Sequence, residues 1–354
     1  MTRPILTTLA ALALLGSARS SAADLNRQVS EKLFPAAGVK ALVVDNRRGS
    51  VEVHGSSDGQ IHLVAVKEIR GSSSSERRRL DEETQVSAGI DNGTLNVRVT
   101  YPSSVSVRLN FFDLFNYDMP RSDVRLTLEV PPSLSVNLHS SSGDLSSNGL
   151  SGSQVFESSS GDVEVRDASG PVRTSTSSGD VNARGIAAAR MHSSSGDLHI
   201  EDARGPLDLE ASSGDIEVRG ALDSVSISAS SGDVSVDRAP RGLRIDTESG
   251  EIRVGTASGR VSLETSSGDV QVTLRSPLTR VSIRTESGEI VAHVDDRAGL
   301  DLDVGTSSGS IATEVPLKIR NASRHSLTGT VGSGQTPLVM RSSSGDIHLT
   351  GGGD

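Results

Sequence analysis

The chain has 354 residues, no cysteine, 2% aromatic residues and a formal net charge of −10. The lack of cysteine excludes a disulfide scaffold and a thiolate metal site. The acidic balance and the scarcity of aromatic rings argue against nucleic-acid binding, which needs a basic surface and stacking side chains.

The N-terminus predicts export. Arg3 precedes an apolar segment over residues 5–15 that is too short to span a bilayer, and Ala23 ends a run of small residues suited to cleavage. We therefore expect residues 1–23 to be a signal peptide. No later segment has the roughly 18 apolar residues that a membrane helix needs. We expect no transmembrane segment after cleavage, and a location in the periplasm, on the cell surface or outside the cell.

Residues 24–140 are predicted to form irregular N-terminal β coils and a cap. Short stretches with alternating apolar residues, including 51–53 and 124–130, indicate strands. Two insertions interrupt them. The first, residues 71–83, is rich in Ser and Arg and is predicted to be an exposed loop. The second, residues 110–121, contains most of the aromatic residues.

The aromatic cluster of the second insertion is the main irregularity of the chain. It could plug the open end of the first coil, or it could form an exposed apolar loop that contacts a partner or a membrane. The partner-contact hypothesis concerns Phe111, Phe112, Phe115 and Tyr117.

From residue 141 to residue 354 the sequence is dominated by a repeat. A Ser-Gly-Asp-like tripeptide recurs, mostly every 18 residues, and its last interval of 36 residues is interpreted as two periods with a degenerate copy at Thr328-Gly329-Thr330. The repeat glycines are Gly143, Gly161, Gly179, Gly196, Gly214, Gly232, Gly250, Gly268, Gly288, Gly309 and Gly345.

Each repeat predicts two short strands. Val163 and Val165 alternate with Glu164 and Arg166, and Gly or Pro interrupts every eight to ten residues, which argues against helices. A fixed period favours stacking of like on like over hairpin meanders. We predict an all-β fold, a right-handed parallel β-solenoid with two short strands per coil of about 18 residues.

An acidic column follows the repeat glycines. Stacked like charges repel, so solvent screening, N–H groups of the turns, arginines such as Arg166 or bound cations must offset the repulsion. Structural turn chemistry is the first interpretation, and a calcium-binding β-roll-like ladder is the alternative, with calcium as the one possible cofactor. The ladder would consist of Asp144, Asp162, Asp180, Asp197, Asp215, Asp233 and Asp269.

No catalytic residue is predicted. A serine repeated at eleven turns, as at Ser160 and Ser178, indicates architecture that hydrogen-bonds locally rather than a set of nucleophiles. The eight histidines form no metal-binding motif, so we expect them to be solvated and expect no metal. The last strand pattern, Ile347-His348-Leu349, runs into glycines, and its free edge suggests self-association.

The predicted signal peptide, the irregular N-terminal β region and the serial Ser-Gly-Asp-Val copies resemble the bacterial "putative adhesin" family, a domain-of-unknown-function family of exported β-strand repeat proteins. The resemblance covers about residues 40–350. It implies a non-enzymatic envelope or surface protein that acts as an adhesin or scaffold on an envelope, surface or protein partner. The alternative that is an enzyme and not a binding protein is a polysaccharide-active β-helix enzyme, although the long loops and sugar-stacking aromatics usual in such enzymes are missing.

Overall fold

The computed structural model describes residues 27–71, 73–102, 121–295 and 298–351. Both the predicted signal peptide and the aromatic cluster Phe111, Phe112, Phe115 and Tyr117 lie outside these ranges. Within them the chain is all-β apart from one short helix, as predicted. No helix of the described part is long and apolar enough to cross a bilayer.

The regular part consists mostly of short strands that alternate between two faces of the coil, and two longer strands near its end each run along both faces. Its strands are β8 (Ser135–Ser140), β9 (Leu145–Asn148), β10 (Gln154–Ser158), β11 (Val163–Arg166), β12 (Pro171–Thr176), β13 (Val181–Arg184), β14 (Ala188–Ser193), β15 (Leu198–Glu201), β16 (Leu207–Ser213), β17 (Ile216–Arg219), β18 (Val225–Ser231), β19 (Val234–Ala239), β20 (Leu243–Ser249), β21 (Ile252–Ser267), β22 (Val270–Ser287) and β23 (Ile290–Val294).

Equivalent strands of successive coils pair in parallel with like residues opposite each other. Val163 pairs with Val181 on one face, and Phe156 pairs with Thr174 on the other. The same register continues through the following coils, with a shift near Ala257. The parallel solenoid with two strands per coil is therefore confirmed, and its right-handedness stays a prediction.

The core is a narrow space between the two faces. Val163 and Val165 are buried while Glu164 and Arg166 point outward, so the period-2 pattern separates core from surface as predicted. The interior holds mostly Val, Ile, Leu and Ala, and its buried residues form one continuous cluster. Phe156 is an exception, a fully buried ring whose paired neighbour on β12 is a smaller threonine.

The repeat glycine is required by the close approach of successive coils. A Cβ built on Gly179 would lie 2.0 Å from the carbonyl oxygen of Gly161, and one built on Gly161 would lie 2.2 Å from the carbonyl oxygen of Gly143. Both contacts are with backbone atoms, which no side-chain rotation can relieve. Stacking of like on like therefore excludes any side chain at this position.

The N-terminal region adds strands of a different topology. They are β1 (Arg27–Pro35), β2 (Ala41–Asn46), β3 (Val51–Gly55), β4 (Gln60–Arg70), β5 (Gln85–Asp91), β6 (Thr94–Thr100) and β7 (Arg121–Val130). The coil of β2 and β3 stacks in parallel on β8 and β9, and on its other side it pairs with β6 and β7. Strand β4 is antiparallel to β7, β1 to β4, and β5 to β6.

The first insertion is partly helical, so its interpretation as an exposed loop is wrong. Helix α1 covers Ser74–Glu83, and the side chain of Ser73 accepts a hydrogen bond from the Glu76 N–H at 3.2 Å. Such a cap satisfies a donor that a helix end otherwise leaves free, and the Arg and Glu residues that follow are good helix formers. Leu80 is buried, and Lys67 of β4 binds the Asp81 carboxylate at 2.8 Å.

The C-terminal coils do not stack in chain order. The last elements are β24 (Leu300–Thr306), β25 (Ile311–Thr313), β26 (Lys318–Ala322), β27 (Ser326–Val331), β28 (Thr336–Ser344) and β29 (Ile347–Gly351). The coil of β28 and β29 lies between that of β22 and β23 and that of β24 and β25. Strand β27 is antiparallel to both β24 and β26.

This order corrects two sequence interpretations. Thr328-Gly329-Thr330 is not a degenerate coil but part of β27, which runs antiparallel to β24. Residues 347–349 of the C-terminal strand are paired on both sides, because Ile347 pairs with Ile290 on one side and with Ile311 on the other. The premise for self-association through that edge is therefore wrong.

Candidate functional site

The repeat aspartates bind each coil to the next. The Asp162 side chain accepts a hydrogen bond from the backbone N–H of Asp180 at 2.9 Å, and the Asp180 side chain accepts one from Asp197 at 2.9 Å. Equivalent hydrogen bonds of 2.7 to 3.1 Å are accepted by the side chains of the other repeat aspartates, which are Asp144, Asp197, Asp215, Asp233, Asp269 and Asp346.

These bonds explain how like charges can stack. A charge-assisted hydrogen bond from a backbone donor stabilises a carboxylate and offsets a repulsion of about 1 kcal/mol in water. Of the four kinds of offset that the sequence left open, the structure shows N–H donors at each of these aspartates. At the last one, the Ser310 N–H and hydroxyl lower the pKa of Asp346 below its ordinary value. The calcium ladder is thus not needed to hold the column together.

A second column, which the sequence analysis did not single out, caps the turns from inside. The hydroxyls of Ser158 and Thr176 are buried and accept hydrogen bonds from the N–H groups of Gly161 and Gly179 at 2.9 and 3.0 Å. The exposed repeat serine lies two residues later; at Ser178 its backbone N–H donates to the preceding coil. The signal available in the sequence was a hydroxyl residue three positions before the glycine.

The outer faces carry ion pairs that link neighbouring coils. His199 places Nε2 3.2 Å from Glu201 and Nδ1 2.8 Å from Glu217. The hydrogen bond from His199 lowers the pKa of Glu201, and the charges of Arg184 and Arg219 add to the effect. Both imidazole nitrogens therefore have carboxylate partners, which is the arrangement of a surface ion-pair network.

One row on the other face has the residue types of a hydrolase triad. Ser175, His192 and Glu210 are paired across β12, β14 and β16, and His192 Nδ1 lies 3.5 Å from Glu210. In the described chain, however, no hydrogen bond joins the Ser175 hydroxyl to the imidazole. The row borders a shallow cavity of about 170 Å³, and strand N–H groups used for pairing provide no oxyanion hole. The row lacks the geometry of an activated nucleophile.

Three side chains near the N-terminal end have donor atoms that converge. Asp58, His62 and Glu129 each offer one ligand atom, and these atoms lie within 4.8 Å of one another. The Gln60 N–H, and then the charge of His62, lower the pKa of Asp58. The sequence does not reveal this group, because Glu129 lies on a different strand, far along the chain from Asp58 and His62.

Comparison with solved structures finds weak similarities over most of the chain. A "putative lipid binding protein" from Parabacteroides distasonis ATCC 8503 is 16% identical with a TM-score of 0.38, over 93% of this chain and 97% of that one. A "putative adhesin" from Bacteroides fragilis NCTC 9343 is 11% identical with a TM-score of 0.26, over 91% and 97%. A "putative cell adhesion protein" from Clostridium sporogenes ATCC 15579 is 8% identical with a TM-score of 0.21, over 92% and 100%.

No curated protein matches the chain. The family model described as "Toastrack DUF4097" matches residues 39–242 and again residues 221–350. These two matches cover the irregular N-terminal coils as well as the regular repeat, which agrees with the range of the resemblance stated from the sequence. The chain belongs to the Toastrack DUF4097 family.

Proposed function

We propose that this chain is a non-enzymatic, exported envelope or surface protein whose rigid β-solenoid acts as a scaffold or adhesin. The observation that carries the proposal is that the repeated polar side chains of the turns bind coil to coil. Oδ1 of Asp180 and the hydroxyl of Thr176 each accept a hydrogen bond from a backbone N–H group. The repeat is thereby explained as architecture, and the outward side chains remain as the surface available to a partner.

The shape of the surface supports binding along its length. Parallel strands place equivalent outward residues about 4.8 Å apart, and about a dozen coils extend over roughly 55 Å. The cavity beside Ser175 and His192 has a volume of about 170 Å³, smaller than the 300–1,000 Å³ typical of small-molecule sites. A long partner with repeating units, such as an envelope polymer, would meet many equivalent positions at once.

The test uses the chain without residues 1–23, fluorescently labelled, and isolated envelopes of the organism that encodes it. Saturable co-sedimentation with the envelopes, without release of new reducing ends from their polysaccharides, is the expected result. An inert monomer that stays in the supernatant would refute the scaffold or adhesin role. Turnover of an acidic polysaccharide that is lost on changing one carboxylate would instead establish the enzyme alternative.

A further inference from the structure

The strand pairing of the N-terminal region brings His62 and Glu129 side by side. Strand β4 is antiparallel to β7, and in this register His62 lies directly opposite Glu129. Side chains of directly opposite residues in antiparallel strands are close enough to share a ligand. The turn between β3 and β4 adds Asp58, and the three donor atoms lie within 4.8 Å of one another.

The turn holds Asp58 in a fixed position. Its Oδ1 accepts a hydrogen bond from the Gln60 N–H at 3.0 Å. Its Oδ2 lies 2.7 Å from His62 Nε2. One carboxylate oxygen is thus used to fix the side chain, and the other faces the imidazole.

The contact between His62 and Asp58 is not an ordinary hydrogen bond. Nε2 of His62 is shielded from solvent and has no hydrogen-bond partner among the described residues, although the oxygen is only 2.7 Å away. His199 provides the comparison, because its Nε2 makes a well-directed hydrogen bond to Glu201 at 3.2 Å. At His62 the nitrogen and the oxygen are close but outside hydrogen-bond alignment, and their separation would increase from 2.7 Å to about 3.3 Å if both bound one tetrahedral cation.

The donor set and its spacing match a transition metal. Zn²⁺ binds imidazole nitrogen and carboxylate oxygen at about 2.0–2.2 Å, so two ligands of a tetrahedral site lie about 3.3 Å apart. Donor atoms within 4.8 Å reach that spacing by small side-chain rotations. An imidazole ligand favours Zn²⁺ over Ca²⁺ and Mg²⁺, which prefer oxygen ligands alone.

We propose that Asp58, His62 and Glu129 bind one divalent transition-metal ion, best matched by Zn²⁺. Three protein ligands leave a fourth position open to water or to a group of a partner, and the exposed side chains of Asp58 and Glu129 keep that position accessible. The bound ion links the turn between β3 and β4 to β7. This site is independent of the scaffold role and lies away from the Asp column.

The test is zinc binding to the chain without residues 1–23, after EDTA treatment and dialysis. Isothermal titration with ZnCl₂ is expected to give one site per chain that an excess of CaCl₂ does not displace. His62→Gln and Glu129→Gln should each lower the zinc affinity by about tenfold or more, because the loss of even an outer-shell partner costs about that much. Asp58→Asn, which keeps the acceptor for Gln60, should weaken it without disturbing the turn.

The matched control is His139→Gln. His139 is also an outward histidine on a strand, with Nδ1 3.5 Å from the single carboxylate of Glu157. This variant should bind zinc like the unmodified chain, and Co²⁺ substitution should give d–d absorption that it retains and that His62→Gln loses. Absence of stoichiometric zinc binding, or equal affinity of His62→Gln and His139→Gln, would overturn the proposal. Far-UV circular dichroism establishes that each variant is folded.

Discussion

Replacing one repeat glycine by alanine tests the stacking directly. In Gly179→Ala the new Cβ would lie 2.0 Å from the carbonyl oxygen of Gly161 and 2.6 Å from its carbonyl carbon. An ordinary carbon–oxygen contact is about 3.3 Å or longer, so the two coils must separate locally by more than about 1 Å. Such a shift cannot be absorbed by a side chain, because both partners are backbone atoms.

The separation would break the bonds that flank the glycine. Ser178 N–H donates to the Ser159 carbonyl at 3.0 Å, and Asp180 N–H donates to the Asp162 carboxylate at 2.9 Å. Lengthening each by about 1 Å takes it beyond hydrogen-bonding distance. Two lost bonds at about 1 kcal/mol each, with about 1–3 kcal/mol for overpacking, predict a loss of about 3–5 kcal/mol in the free energy of unfolding.

Urea unfolding followed by far-UV circular dichroism measures this loss, and amide hydrogen exchange localises it. The control is Gly89→Ala on β5, where an added Cβ meets no atom within 4 Å and the backbone is not left-handed. That variant should stay within about 1 kcal/mol of the unmodified chain. If Gly179→Ala proved as stable as Gly89→Ala, close stacking of glycine on glycine would be refuted.

Two further predictions concern the column of repeat aspartates and the buried hydroxyl of Tyr101. Asp180→Ala removes the acceptor for the Asp197 N–H and should lower the free energy of unfolding, measured by thermal unfolding, by about 1–2 kcal/mol. Asp180→Asn keeps an acceptor oxygen and should lower it less. Equal losses in the two variants, or a loss of strand signal on adding EDTA, would favour a cation-bound column. Burial raises the pKa of Tyr101, whose hydroxyl donates a hydrogen bond to Asn46 Oδ1 at 2.6 Å. The folded state therefore binds the phenol proton more tightly than the unfolded state does. The stabilising effect of this tighter binding is fully present below the unfolded value near 10 and is lost as the pH rises above it. Tyr101→Phe should lack that alkaline decline, measured by urea unfolding between neutral pH and about pH 11, and an identical slope in both proteins would contradict the assignment.

The regular coils were predictable because each coil meets a near copy of itself. Apolar residues alternate with polar ones around Val163 and Val165, which identifies the side chains that point inward. The fixed position of Gly161 marks where the chain turns. A column of aspartates followed from the same period. What the column does was not predictable, because the bond from the Asp180 N–H to Asp162 depends on how closely the coils approach.

The ends of the stack show the limit of the periodic pattern. The interval of 36 residues before Gly345 equals two periods, yet the structure places Gly345 between Gly288 and Gly309. A strand edge offers the same N–H and C=O groups to any suitable strand, so the pattern within β28 does not reveal which neighbour it joins. Helix α1 was missed because the polar residues that favour it are equally typical of an exposed loop.

The candidate metal site depends on the same non-local pairing. Asp58 and His62 are close in sequence, but Glu129 joins them only because β7 is antiparallel to β4. The amino-acid sequence by itself determined the period, the inward side chains and the need for glycine, because neighbouring coils impose the same local requirements on every copy. Only the tertiary structure decided the order of the terminal coils and the convergence of distant side chains. The backbone N–H and C=O groups are the same in every strand and therefore do not specify which strand will be the partner.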